Sequence, residues 1–137
     1  MILLLTLATA SAAPTCSATK ALVAEEGGFT DGSAPTNEYS DGQDICWKLA
    51  PTCPEGGSVS LHFTRVDVER GYDWVQVFGA SGALLGKSAG TSTTWTDSGF
   101  TVWFHSDESI AKTGFSASYS CETLSEEEPP PADEEPA

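Results

Sequence analysis

Apolar and polar residues alternate along Val59-Ser60-Leu61-His62-Phe63-Thr64-Arg65-Val66, the period of a strand with one face buried. Trp74-Val75-Gln76-Val77-Phe78 and Phe100-Thr101-Val102-Trp103-Phe104-His105 have the same β character. Val59, Leu61 and Phe63 therefore share one face of their strand, as do Val75 and Val77, and Phe100, Val102 and Phe104, and these are the predicted core. Shorter stretches of strand type stand at 18–23, 27–30, 46–49, 83–86, 91–96 and 114–121. Turn residues separate them, among them Pro54-Glu55-Gly56-Gly57, Gly79-Ala80-Ser81-Gly82 and Asp97-Ser98-Gly99. No helical period of any length interrupts the series, so the pattern predicts an all-β sandwich or barrel.

Between the first two long strands runs Asp67-Val68-Glu69-Arg70-Gly71-Tyr72-Asp73, a charged turn with one glycine. A loop that brings Glu69 near Asp73 presents two carboxylates at one end of a sheet. Asp107 follows the strand at 100–105 and is placed to reach the same end. Three converging carboxylates are a candidate site for a hard cation. Without a cation they repel one another, and one of them is expected to titrate at raised pH.

The 137 residues make room for one ordinary domain with its own core. The apolar run that opens the chain ends in Ala10-Ser11-Ala12, small residues of the kind found at a secretory cleavage site, and residues 1–12 are read as a signal peptide. The run is too short to span a bilayer, which takes about 20 apolar residues, and no later stretch is a candidate. Four cysteines, Cys16, Cys46, Cys53 and Cys121, follow it, an even number that favours two disulfides with three possible pairings. Their spacing matches no Cys-x-x-Cys zinc site. The formal charge is −14, but seven acidic residues and no basic ones lie after Cys121, which leaves the body at −7. Such a surface repels nucleic acid and anionic membranes and suits cations or basic protein partners. Residues 122–137, acidic and rich in proline, are expected to form an extended, disordered tail or a linker.

Candidate catalytic chemistry is sparse. His62 and His105, the two histidines, alternate with core residues and point outward, and no Gly-x-Ser-x-Gly elbow accompanies them. The acids sit at a strand end in a module too small for an obvious glycosidase cleft. The expectation is a protein that is not an enzyme. Trp47 shares a face with Leu49 and is assigned to the core. Trp74 and Trp103 fall on the outward faces of their strands and are candidates for an exposed contact surface.

Taken in order, these pieces resemble the CUB domain family of extracellular β-sandwich modules. Cys16 opens the match and Gly28-Phe29-Thr30-Asp31-Gly32-Ser33 forms the early glycine turn, with Tyr39 in the loop after it. Cys46-Trp47-Lys48-Leu49, Val59-Ser60-Leu61-His62-Phe63, Val66-Asp67-Val68-Glu69 and Tyr72-Asp73-Trp74-Val75-Gln76-Val77 follow. Leu85-Gly86, Val102-Trp103-Phe104-His105-Ser106-Asp107-Glu108-Ser109 and Gly114-Phe115-Ser116-Ala117-Ser118-Tyr119 complete it, so that residues 16–121 form the domain.

The resemblance implies an antiparallel, jelly-roll-like β-sandwich. It also implies a calcium ion held by Glu69, Asp73, Asp107 and the main-chain oxygen of Ser109, with Tyr39 beside the site. The disulfides it favours are Cys16–Cys46 and Cys53–Cys121. It makes the strands of Trp74 and Trp103 neighbours, so that the two rings lie side by side. The implied function is secreted, calcium-dependent recognition of a protein through a basic residue, typically lysine. The alternative is a glycan bound on the tryptophan face, with calcium only structural. The chain departs from the family pattern in two places. Only Arg70-Gly71-Tyr72 separates Glu69 from Asp73, with the usual loop cysteine and its partner near Ala89 both absent, and Cys46 abuts Trp47. On a strand, that adjacency turns the cysteine to the face opposite the tryptophan.

Overall fold

The computed structural model describes residues 14–31, 38–87, 90–108 and 111–122. The expected signal peptide, nearly all of the expected tail, and Ser109 lie outside the described residues. The described chain forms nine strands and one 3₁₀ turn at Pro54–Gly56. The strands are β1 (Ala18–Leu22), β2 (Glu26–Thr30), β3 (Asp44–Leu49), β4 (Ser58–Asp67), β5 (Trp74–Gly79), β6 (Leu84–Gly86), β7 (Thr94–Asp97), β8 (Phe100–His105) and β9 (Gly114–Glu122).

They assemble into a five-stranded sheet of order β1-β3-β8-β5-β6 and a four-stranded sheet of order β2-β9-β4-β7. All pairings are antiparallel except β1 with β3. The inner faces meet in one core. Every residue predicted for it from alternation, namely Val59, Leu61, Phe63, Val75, Val77, Phe100, Val102 and Phe104, is buried there. Phe115 lies at its centre, its ring 5.2–5.8 Å from those of Phe29, Trp47, Phe63 and Phe104. Offset and edge-on ring pairs at such separations add to the burial of apolar area.

Two details differ from the alternation. The period of β4 breaks at Thr64, where a bulge shifts the register with β9 between Phe63 and Arg65, so that Val66 rather than Arg65 packs on the core. The β-branched run at 91–96 becomes strand only from Thr94, because Thr94–Asp97 is the part that pairs with Val59–His62 of β4.

The disulfides are Cys16–Cys46 and Cys53–Cys121. Cys46 does face away from Trp47: the tryptophan belongs to the main core, whereas Cys46 joins Phe78 and Trp103 in a second cluster on the outer face of the five-stranded sheet. Cys53–Cys121 ties the entrance of β4 to the end of β9, its antiparallel neighbour. Among the described residues, no helix is long and apolar enough to cross a membrane.

Candidate metal centre

The site stands where three strand ends meet. Glu69 lies two residues past the end of β4, in the four-stranded sheet. Asp73 precedes β5, and Asp107 lies just past β8, in the five-stranded sheet. Because Trp74 pairs with His105, antiparallel pairing delivers Asp73 and Asp107 to the same edge. The site therefore bridges the two sheets. Each of Glu69, Asp73 and Asp107 brings one oxygen to within 4.8 Å of the others.

The short loop between Glu69 and Asp73 helps rather than hinders this. The Tyr72 and Asp73 N–H groups both donate to the Glu69 carbonyl, at 3.2 and 2.9 Å, which folds the chain back tightly. Gly71, at φ +90°, supplies the left-handed residue that such a turn needs.

Asp73 is 3 % exposed, and two donors meet its carboxylate: the Tyr39 hydroxyl and the Asp107 N–H, the latter at 2.8 Å. The same hydroxyl oxygen accepts the Glu69 N–H at 3.2 Å, so Tyr39 touches both sides of the loop. Burial, then the hydrogen bond to Asp73, push the Tyr39 phenol well above its ordinary pKa. At Glu69, desolvation and then the charges of Asp107 and Asp73 push the carboxyl up, with the charge of Lys112 a partial offset. Glu69 Oε1 is buried and accepts no hydrogen bond among the described residues. A buried acceptor without a donor is costly, and a cation would satisfy it. Calcium takes carboxylate oxygens at about 2.3–2.6 Å, so the oxygens around one ion lie no more than about 5 Å apart, a limit within which these three fall. The residues present fit a calcium ion.

A second loop braces the first. Ser106, which is buried, accepts from the Gln43 N–H and donates to the Ser40 carbonyl, both at 2.8 Å. The Ser106 N–H donates to the Gln43 carbonyl at 2.9 Å, and the Gly42 N–H to the Asp107 carbonyl at 2.7 Å. These residues escaped the sequence reading. A serine beside a run of acids carries no local mark that its hydroxyl will be buried.

The other predicted surface residues are placed differently. Tyr39 lies beside the acids as expected but is 5 % exposed, so it offers no face to a partner. Trp74 and Trp103 are adjacent, on the outer side of their sheet, yet they do not form an open platform. Their rings pack edge to face at 5.4 Å, Trp103 is 9 % exposed, and Trp74 is half-buried. The outer face of this sheet carries its own apolar cluster, in which Trp103 packs with Cys46 and Phe78 while Trp74 and Leu84 lie against it. His105 is half-buried too, stacked on Trp74 with centroids 4.1 Å apart and with Nδ1 2.7 Å from Asp44 Oδ1, which also accepts the Trp103 Nε1–H at 2.9 Å. His62 lies 3.3 Å from the hydroxyl of Thr94, its partner on the neighbouring strand β7 of the four-stranded sheet. The residue that does stand out is Tyr72, 61 % exposed within the acidic loop.

The family model described as the CUB domain matches residues 16–119. No curated protein sequence matches the chain. Among solved structures, the full extracellular region of zebrafish Gpr126/Adgrg6 superposes with a TM-score of 0.66 at 26% identity, over 77% of this chain and 15% of that one. The CUB1-EGF-CUB2 fragment of human MASP-1/3 does so with a TM-score of 0.66 at 21% identity, over 80% of this chain and 43% of that one. The CUB2 domain of MASP-1, solved bound to calcium, gives a TM-score of 0.59 at 19% identity, over 74% of this chain and 96% of that one. The chain thus spans less than half the length of the zebrafish region or the human fragment.

Proposed function

Because the chain belongs to the CUB domain family, whose members are extracellular protein-binding modules, we propose that its acidic end is a calcium-dependent docking site for a protein partner. The observation that carries this is a cluster whose three carboxylates each place an oxygen within 4.8 Å of the others, with Glu69 Oε1 buried there and lacking a donor among the described residues. Glu69, Asp73 and Asp107 would hold the ion, and bound calcium would supply the positive charge that their mutual repulsion calls for. The Glu69–Asp73 loop and the Asp107 backbone then present a fixed acidic rim.

A lysine ammonium on the partner suits that rim: it is a compact charge, and the body of this chain is at −7. Tyr72 stands exposed in the same loop, one of the residue types enriched as anchors at interface centres. The apolar run at 1–12 supports delivery outside the cell. The tryptophan face supports the glycan alternative less well, since Trp103 is buried and the two rings pack on each other.

Calorimetric titration of the folded protein with calcium, beside Asp107→Ala, tests the proposal. Saturable heat in the parent and none in the variant is the expected result. The absence of saturable heat in the parent would remove the proposal while leaving the fold intact.

A further inference from the structure

Outside the acidic cluster, a second set of polar side chains ties down the loop that carries Asp107. Arg65, just past the bulge in β4, aims its guanidinium at Thr113: Nη1 donates to the Thr113 hydroxyl at 2.7 Å and Nη2 to the Thr113 carbonyl at 2.9 Å. Thr113 in turn gives both its hydroxyl and its N–H to Asp67 Oδ2, at 2.6 and 3.1 Å. One threonine thus joins a cation and an anion that both belong to β4, two residues apart. Asp67 is itself two residues before Glu69.

The next residue back, Lys112, continues the connection. Its carbonyl accepts the Tyr39 N–H at 3.0 Å. Tyr39 then donates through its hydroxyl to Asp73, whose other oxygen receives the Asp107 N–H. Hydrogen bonds, joined by the Lys112–Thr113 peptide link and by Tyr39 itself, therefore lead from Arg65, Thr113 and Asp67 to the Asp73 carboxylate and to the N–H groups of Glu69 and Asp107.

We propose that the Arg65–Thr113–Asp67 latch is a positioning device for the cation site: it sets the spacing between the Glu69 and Asp107 loops, and so the calcium affinity, without supplying a ligand. The inference rests on the calcium-site proposal and adds residues that touch no ion. A charged fork and a carboxylate meeting on one threonine hold direction as well as distance. Hydrogen-bonded neighbours of metal ligands characteristically alter metal affinity by about 10–100-fold when removed, and the latch holds one such neighbour, Tyr39, through the Lys112 carbonyl.

The test is calcium titration of the parent, Thr113→Val, Thr113→Ser, Asp67→Asn and the Asp67→Asn/Thr113→Val double variant, each melted without calcium as well. Thr113→Val and Asp67→Asn are expected to weaken calcium binding by about tenfold or more. Thr113→Ser keeps the hydroxyl and should bind as the parent does. The double variant should be no weaker than the worse single one, because both cut the same connection. A role in folding alone would lower the melting temperature and leave affinity unchanged. Parent-like affinity in Thr113→Val, or a loss in Thr113→Ser equal to that in Thr113→Val, would overturn the latch while the calcium site stands. A parent that takes up no calcium would overturn both. Should Thr113→Val fail to fold, Asp67→Asn decides the same question, since it removes the anion and leaves the threonine in place.

Discussion

At position 73 a carboxylate almost out of contact with water depends on two donors, the Tyr39 hydroxyl and the Asp107 N–H. Tyr39→Phe removes one of them and leaves the other side of the contact a buried, under-satisfied acid. The expected cost is about 1–3 kcal/mol, read as a lower urea midpoint with an unchanged slope. At the other pole of chemistry, Phe115 meets four aromatic rings, and Phe115→Ala should cost about 3–5 kcal/mol by the same measurement. A loss below 1 kcal/mol would mean that the surrounding rings collapse into the space. Individual residues differed in how far they could be read in advance. Phe63 sits on a strand whose alternation declares its environment, whereas Phe115 is not among the predicted core residues and the burial of Tyr39 depends on a loop that no periodicity describes.

Strands and turns introduce a different dependence, on pH. The turn between β7 and β8 is organised by Asp97, whose Oδ1 accepts the N–H groups of Ser98 at 2.6 Å, Gly99 at 3.4 Å and Ala80 at 3.2 Å. Ala80 belongs to the β5–β6 hairpin of the other sheet, so one carboxylate joins two turns at the end opposite the acidic cluster. Desolvation works to raise the Asp97 carboxyl, but the three N–H groups and the Ser98 hydroxyl outweigh it and hold the pKa below the usual carboxylate range. A depressed carboxylate contributes its full stability above the unfolded value, near 3.9, and loses it as pH falls through the folded value. The stability gap between the parent and Asp97→Asn should therefore be constant above about pH 5 and close progressively below pH 4. A gap that persists at pH 2 would assign the effect to geometry instead of charge. The Cys53–Cys121 bridge also acts at this scale, joining β4 to β9. Replacing both cysteines by alanine should remove about 2–5 kcal/mol, seen as a drop in the thermal midpoint.

For the whole molecule, the acidic cluster links stability to calcium and to pH together. Glu69 has its carboxyl pushed up by desolvation and by Asp107 and Asp73, so ionising it costs the folded state stability as pH rises through that range. A bound cation cancels that cost and adds its own binding energy. Calcium should accordingly raise the melting temperature clearly at pH 7 and less at pH 4, where the raised Glu69 carboxyl already holds a proton. Equal shifts at the two values would show that the repulsion among these carboxylates is not what the ion relieves. High salt should reduce partner capture more than it reduces calcium uptake, because the rim is exposed and the buried oxygens are screened less.

By itself, the amino-acid sequence determined the strands and the faces they bury. Alternation at period two in β4, β5 and β8 is a local property, written residue by residue, and every core residue that it predicted is inside. The three acids could be placed at one end because each adjoins a strand, and strand ends are also local. Tertiary structure alone decided what those ends and outer faces meet. Trp103 points outward as alternation requires, yet it is buried within a second apolar cluster, and no period within one strand reports what packs on its outer face. The bulge at Thr64, the lacing of Ser106 to Ser40 and Gln43, and the joining of Arg65 and Asp67 through Thr113 all link residues distant in the chain. Their partners are chosen by packing, which comes into being only when both sheets are in place.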